Sequence, residues 1–333
     1  MKAIRGERPG SSAAPRASWR KRLGRVVATL GLAAVLPLAH AAYPDHPINF
    51  IVPWGPGGGA DLLARTSSKI MQQQLGVSLP VINVPGADGV VGMTKLLTAP
   101  ADGYSMAVLI GDTFALLSTK HPPFQLNQVI PLAVMIQQPS GYWVNAKGPW
   151  KTWQDVVNAA KKKTLTVAVT GFGSADDIST RYLAHKLHLH LQSVPFSKPG
   201  QRYGSILGGN ADILYEQTGD VRSYFDSGKF RPVLFFYPHP VPIPAFSKVP
   251  VSAQLGLHVT LPQFRAIVVR AGTPPDRVKM LADALYKVSQ TQAFKDYLTQ
   301  QYADPDSYVS MQHAQAFMAS WLKQAEQTIA ETK

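Results

Sequence analysis

The chain has 333 residues, 45% of them hydrophobic, which is enough for two packed domains, and it contains no cysteine, so disulfides, thiolate nucleophiles and cysteine-based metal sites are excluded. Its net charge of +13 invites a polyanionic partner, yet eight of the 33 Lys and Arg residues fall in residues 1–41, against a single acid, Glu7. The remaining 25 basic and 19 acidic residues form a modest excess with no nucleic-acid-reading motif beside it, which argues against nucleic acid as a partner.

Residues 1–41 read as an export signal. Lys21, Arg22 and Arg25 form a basic end, Val26–Leu38 is an uncharged apolar run, and Ala39-His40-Ala41 supplies small residues before a mature start at Ala42. The run is short for a hydrocarbon layer of about 30 Å, leaving an uncleaved anchor as the alternative. No cysteine is present to take a lipid.

Beyond Ala42 short β-type runs alternate with helical ones, the pattern of α/β layers with mostly parallel strands. Strands are predicted at Ile48–Pro53, Val81–Val84 and Tyr104–Gly111. Between them come a helix over Ala60–Leu75, stopped by Gly76, and a turn at Gly86–Gly89 that opens a helix to about Leu97. After Lys147-Gly148-Pro149 a second unit begins, with Thr152 as N-cap of a helix ending in Lys161-Lys162-Lys163. Strands follow at Leu165–Thr170, Leu191–Phe196, Ala211–Tyr215 and Arg231–Phe236, with a helix over Asp177–Leu187. Pro238–Pro250 is too proline-rich for regular structure and reads as a surface loop. Phe264–Arg270 is an apolar strand, and the rest is helical: Pro274–Val288, Gln292–Leu298 and about Ser310–Thr328. In the last, Phe317, Trp321, Leu322 and Ile329 keep helical spacing, as core residues do.

Two segments share one design. Pro53-Trp54-Gly55-Pro56-Gly57-Gly58-Gly59-Ala60-Asp61 joins a strand to a helix, and so does Thr170-Gly171-Phe172-Gly173-Ser174-Ala175-Asp176-Asp177. Glycines let a ligand approach the backbone, and the helix N-terminus behind each loop favours an anion by about 0.3–1 kcal/mol. One such loop from each half, facing across a cleft, would clamp a small anion. Gly55–Ala60 also fits G-x-G-x-x-A, but Asn83-Val84-Pro85 stands where a dinucleotide site needs an acid, and Gly59-Ala60-Asp61 lacks the P-loop lysine. No cofactor is expected. For catalysis, Ser174 lies outside G-x-S-x-G and has no histidine placed by sequence to activate it. His185, His188 and His190 lack further ligands, so no metal site and no catalytic residue is assigned.

The ordered set Tyr43-Pro44-Asp45-His46-Pro47-Ile48, Pro53–Asp61, Asn83–Gly89, Asp102-Gly103-Tyr104 and Ala271-Gly272-Thr273-Pro274-Pro275 resembles the Bug-type solute receptors of tripartite tricarboxylate transporters, across essentially the whole chain after the leader. The resemblance implies a two-lobe periplasmic binding protein of the type II, Venus-flytrap class. One lobe would be 42–143 plus 266–333 and the other 144–265. It also implies a small carboxylate ligand (dicarboxylate, tricarboxylate or aromatic acid) held by the two loops. That role falls on Trp54, Gly55, Gly57, Gly58 and Asp61 in one lobe, and on Thr170, Gly171, Gly173 and Ser174 in the other. Gly86–Gly89 and Gly111-Asp112-Thr113 are further wall candidates, and Asp212 matches a family aspartate near the cleft.

There are departures. Asp176-Asp177 replace the small residues and histidine usual after the second loop; there they either oppose a second negative charge on the ligand or cap the helix. Asp112 stands where a neutral polar residue is more usual. Trp54 and Phe172 suit stacking on a flat ring, or lobe packing. Arg265 suits a bidentate carboxylate contact, or a hinge salt bridge. The implied protein is a periplasmic monomer that contacts an inner-membrane permease only transiently. The alternatives are a receptor coupled to a signalling partner and a secreted hydrolase. The exported protein should begin at Ala42, and an intact mass reporting a start elsewhere would move the cleavage site.

Overall fold

A computed structural model describes residues 43–332, so the export-signal reading of residues 1–41 and the start at Ala42 lie outside the described residues. Strand β1 (Asn49–Val52) feeds helix α1 (Gly59–Leu75), which stops at Gly76 in the left-handed conformation, φ 71°. Then come β2 (Val81–Asn83), α2 (Val90–Thr98), β3 (Ser105–Ile110) and the short α3 (Gly111–Ala115). The long β4 (Val129–Gln138) runs through Pro139 into β5 (Ser140–Asn145). Next follow α4 (Trp153–Ala160), β6 (Leu165–Val169), α5 (Ala175–Leu187), β7 (Leu191–Pro195) and α6 (Pro199–Leu207). The chain continues through β8 (Ile213–Gln217), α7 (Arg222–Asp226), β9 (Phe230–Phe236) and β10 (Gln263–Arg270), then α8 (Pro275–Gln290), α9 (Gln292–Gln300), β11 (Val309–Ser310) and α10 (Met311–Ala330).

The strands form a six-stranded sheet, β11-β4-β10-β3-β1-β2, and a five-stranded sheet, β7-β6-β8-β5-β9. Both are mixed rather than mostly parallel. β1 pairs in parallel with β2 and β3, and β6 with β7 and β8, through crossover helices. The pairings of β10, β11, β5 and β9 are antiparallel. The cause is the chain's passage between sheets: β4 and β5 are one extended run that serves both, and β10 returns to pair between β3 and β4. Nothing in the sequence reading assigned β4, β5 or α6. Pro131 and Pro139 punctuate the first two, and proline within an apolar run argues against a strand; here Pro131 sits beside a register shift in the β10 pairing. The chain leaves the first sheet at Pro139, a few residues before the border read at 143/144. It returns over 237–262, just before the border read at 265/266.

Three apolar cores follow from this layering. One lies under α1, α8 and α9 on the six-stranded sheet and includes Phe50, Val108, Leu281 and Phe294. Another, on the outer face of the five-stranded sheet, holds Trp143, Phe235 and Phe246. The Pro238–Pro250 segment is irregular as expected, but Val241 and Phe246 are buried, so it plugs that core instead of lying free on the surface. The largest core joins residues of both sheets, with Phe114, Phe264 and Trp321 at one end and Tyr142, Ile178 and Tyr215 at the other. Helix α10 belongs to it: Trp321 is buried and donates its indole N–H to Pro262 O at 2.9 Å, and Phe317, Leu322 and Ile329 pack around it.

Helix α4 shows local sequence rules acting unaided. Thr152 accepts from Asp155 N at 3.2 Å and Asp155 accepts from Thr152 N at 2.9 Å, a capping box on an exposed helix end. Thr152→Ala should lower unfolding free energy by about 1 kcal/mol in a denaturant titration; no change would mean that tertiary packing alone holds α4.

Candidate functional site

From β1 the chain crosses to β2 on one side and then to β3 on the other, and from β6 it goes to β7 and then to β8 in the same way. Such reversals leave a crevice beyond the carboxyl ends of the central strands. Both glycine-rich loops leave from those ends, one between β1 and α1, the other between β6 and α5.

Each loop is held by the same bracket. Gly57 N donates to Asp61 Oδ2 at 2.9 Å, and Arg65 Nε donates to the same oxygen at 2.9 Å. In the other loop Gly173 N donates to Asp177 Oδ2 at 2.8 Å, and Arg181 Nε joins it at 3.2 Å. Gly57 and Gly173 have φ of 80° and 82°, a left-handed conformation that turns their amides back onto the carboxylates. The spacing G-x-x-x-D-x-x-x-R, present twice, is the local sequence signal of this bracket. Burial pushes the Asp61 carboxyl up, but Arg65, the Gly57 amide and Asn83 outweigh it and hold it below the usual range.

The two helix ends then differ. At α1 the N-cap Gly58 brings no side-chain cap. At α5 the Ser174 hydroxyl accepts from Asp177 N and donates its one proton to Gly171 O at 2.5 Å, while Asp176 accepts from Thr170 N at 2.6 Å and from the Thr170 hydroxyl and packs against Ser174 Oγ. Asp176 and Asp177 therefore brace their own loop, the capping alternative of the two read from sequence.

Between the loops lies a chamber of about 40 Å³, walled by Trp54, Gly55, Gly58, Gly59, Ile110, Asp112 and Thr170 together with Arg202, Gln217, Asp220, Gln263 and Arg265. It meets a groove of about 700 Å³ at Gly58, Gly59, Pro199 and Asp220; Gly57, Leu62, Tyr203 and Tyr224 line that groove. Trp54 has a buried indole N–H with no partner among the described residues. The buried Arg202 gives Glu216 Oε2 two hydrogen bonds, at 2.5 and 3.2 Å. Arg265 does not present a free fork: Nη2 reaches both Asp220 oxygens at 2.9 and 3.0 Å and Nη1 reaches Gln138 Oε1 at 2.5 Å, the salt-bridge alternative. Since Arg265 stands on β10 and Asp220 follows β8, the pair ties the two sheets together beside α1. A Cβ on Gly59 would collide with both.

The other candidates fall into three groups. Gly111 packs on the Gln263 side chain, and Thr113 donates to Asp88 O at 2.8 Å, so Thr113 steadies the Gly86–Gly89 turn. Gly171 has the Asp88 carboxylate against its Cα, and Phe172 is 65% exposed on the outer face of that contact. Asp212 lies elsewhere: it accepts from Thr166 N at 2.8 Å at the start of β6, four residues and about 13 Å of strand from Thr170. It joins the starts of two parallel strands, at the end opposite the loops. Arg202, Glu216, Gln217, Asp220 and Gln263 were not singled out from sequence. They meet only where α6, β8 and the segment after it come up to β10 of the other sheet, and no local pattern marks them.

Asp112 is 1% exposed and bonded only to Gln263 Nε2, at 2.6 Å. Burial, then the charges of Asp176 and Glu216, push its carboxyl well above the usual range. The folded state thus binds this proton more tightly than the unfolded one. The resulting stability is complete below about pH 4 and is lost as pH rises toward the raised folded value. Asp112→Asn should remove that slope and raise Tm at pH 7.5, by about 2–4 °C for each kcal/mol gained. A Tm at pH 7.5 below that of the parent would show that the carboxylate is satisfied as it stands.

The chain matches the family described as tripartite tricarboxylate transporter family receptor, TctC, over residues 63–333. It is similar to BugT of Bordetella pertussis, 26% identical over 85% of this chain and 88% of that protein. A TctC solute-binding protein from Polaromonas, solved without ligand, is 27% identical over 86% of this chain and 99% of its own, with a TM-score of 0.66. MatC from Rhodopseudomonas palustris with bound malate shares the fold at a TM-score of 0.77 and 21% identity, over 86% of this chain and 100% of its own. A two-sheet α/β periplasmic-binding-protein fold and a family match over residues 63–333 lead to one conclusion: this chain belongs to the TctC family of solute receptors of tripartite tricarboxylate transporters, a family of binding proteins and not of enzymes.

Proposed function

We propose that the chain works in the periplasm as a monomer. It takes a small carboxylate into the chamber between the two glycine-rich loops and presents it, with the lobes closed, to an inner-membrane permease. The lobes of this reading are 42–143 plus 266–333 and 144–265. The observation that carries it is the N-terminus of α1. Its N-cap Gly58 has no side-chain cap, Gly58 and Gly59 line the chamber, and Arg202 and Arg265 stand in the same wall. Helix amides and a positive helix end favour a carboxylate over a neutral solute, while Arg202 and Arg265, each paired with an acid, fix the wall around them. The partnerless indole N–H of Trp54, in the same wall, is a further donor. Malate in MatC supports an acid of this size.

The two loops would contribute unequally. The α5 loop has its Thr170 and Asp177 amides already on Asp176 and Ser174 and reaches the chamber only through Thr170, while the α1 loop brings an uncapped helix end to it. Ligand shifts the lobe equilibrium only by its differential affinity for the closed arrangement.

A thermal-shift screen of small carboxylates against neutral sugars tests this. An acid at 100 times its Kd should add about 2.7 kcal/mol of stability. Gly57→Val and Gly173→Val, which force β-branched residues to a positive φ, should each abolish that shift while leaving a folded protein. A sugar response without any acid response, or full acid affinity in both variants, would overturn the reading.

A further inference from the structure

The five-stranded sheet has two ends, and the glycine-rich loop and the chamber belong to one of them. At the other end six exposed lysines gather: Lys147, Lys151, Lys161, Lys162, Lys163 and Lys229. Backbone pairing brings them there. Asn145, the last residue of β5, pairs with Phe230, the first of β9, and Ala146 N donates to Lys229 O at 2.9 Å, which sets Lys147 beside Lys229. Lys151 Nζ turns back to donate to Ala146 O at 2.9 Å and Gly148 O at 2.8 Å. Lys163, just before β6, holds its Nζ 5.7 Å from the centre of the Trp150 ring.

A lysine run at the end of a helix has a local cause in the helix dipole, but that cause covers only Lys161–Lys163. None of the six lysines is in an ion pair among the described residues. The acids at this end are already committed. Asp155 Oδ2 accepts from Lys151 N and Thr152 N, both at 2.9 Å, and Asp212 Oδ2 accepts from Thr166 N at 2.8 Å. Asp226 and Glu331 are paired with Arg222 and Lys186. The six lysines and the half-buried Arg231 thus account for most of the excess of 25 basic over 19 acidic residues beyond residue 41. Crowded like charges repel one another, and no contact in the fold offsets that cost.

The geometry points to a docking pole for an anionic lipid surface, the headgroups of the membrane that faces the periplasm, with Trp150 among the lysines that meet it. Lysines on flexible stems, with no arginine fork among the six, suit attraction to a charged plane better than recognition of a single group. Trp150 is half-buried, and an indole with an apolar body and a polar edge is a side chain that settles at headgroup level. Pole and loop are separated by the five residues of β6, about 16 Å of strand, so a molecule held by the pole keeps its chamber clear of the headgroups. The receptor would then be concentrated in the plane where its permease lies, whatever solute it carries.

Vesicle sedimentation of the protein purified from the periplasm tests this. The protein should sediment with vesicles of phosphatidylglycerol and phosphatidylcholine in equal parts, and not with phosphatidylcholine alone. The binding should vanish at about 0.5 M salt, where screening acts within a few ångströms. Lys161→Gln with Lys162→Gln and Lys163→Gln, in the turn between α4 and β6, should weaken it by about 100-fold, about fivefold per lysine. Lys147→Gln with Lys229→Gln, at a separate point of the pole, should weaken it by about 25-fold. Lys69→Gln with Lys95→Gln and Lys295→Gln removes three exposed, unpaired charges from helices of the other sheet and should leave it within about twofold. Equal weakening by the two triple variants would overturn the pole and leave net charge as the cause. No sedimentation with phosphatidylglycerol would overturn the lipid surface, and capture by immobilised polyglutamate in that case would assign the pole to an acidic polypeptide instead.

Discussion

Amide groups at two helix N-termini must find acceptors, and the cleft is organised around how each does so. At α5 the chain supplies its own, through Ser174, Asp176 and Asp177. At α1 the cap residue is Gly58, which has no side chain to give, so that helix end faces the chamber. Two loops of similar composition thereby become unlike in chemistry: one caps its helix with its own side chains, the other leaves its helix end uncapped. The shared Gly–Asp–Arg bracket explains how both hold a left-handed glycine in place without spending the helix amides behind it.

The same constraint orders the charges around the cleft. Each buried arginine is matched to an acid on another element, Arg202 to Glu216 and Arg265 to Asp220. A buried pair is weak evidence of stability, because desolvation opposes the attraction, but it fixes orientation. Arg265–Asp220 fastens β10 to the segment after β8, and Gln138 links the crossing strand to Gln301 O at 2.8 Å. The passage between sheets is thus polar, while one apolar core and α10 run along both sheets on the other side.

How much was legible in advance follows from the range of the interactions. The loops at 53–61 and 170–177 stood out because glycine runs between an apolar strand and an amphipathic helix have a local cause. The Thr152 cap and the core stripe of α10 are local too. The sheet order was not legible. Pro131 within β4 and Pro139 just before β5 speak against strands there, and the antiparallel pairing of β10 joins residues more than a hundred positions apart. Arg265 and the Asp176-Asp177 pair were each read with two possible roles, and only their neighbours in space chose between them. Asp212 was carried to the cleft by resemblance; strand direction puts it at the far end of β6.

By itself the sequence determined the α/β layering, the two strand-to-helix turns rich in glycine, and the family to which the chain belongs, since these rest on short-range pattern and ordered motifs. Tertiary structure alone decided that the sheets are mixed and that one turn caps itself while the other stays open. It alone showed Asp112 buried with a single partner among Arg202, Glu216 and Gln263. The reason is physical: a backbone preference acts within a few residues, whereas the environment of a buried charge is assembled from strands distant in the chain, and no segment contains it.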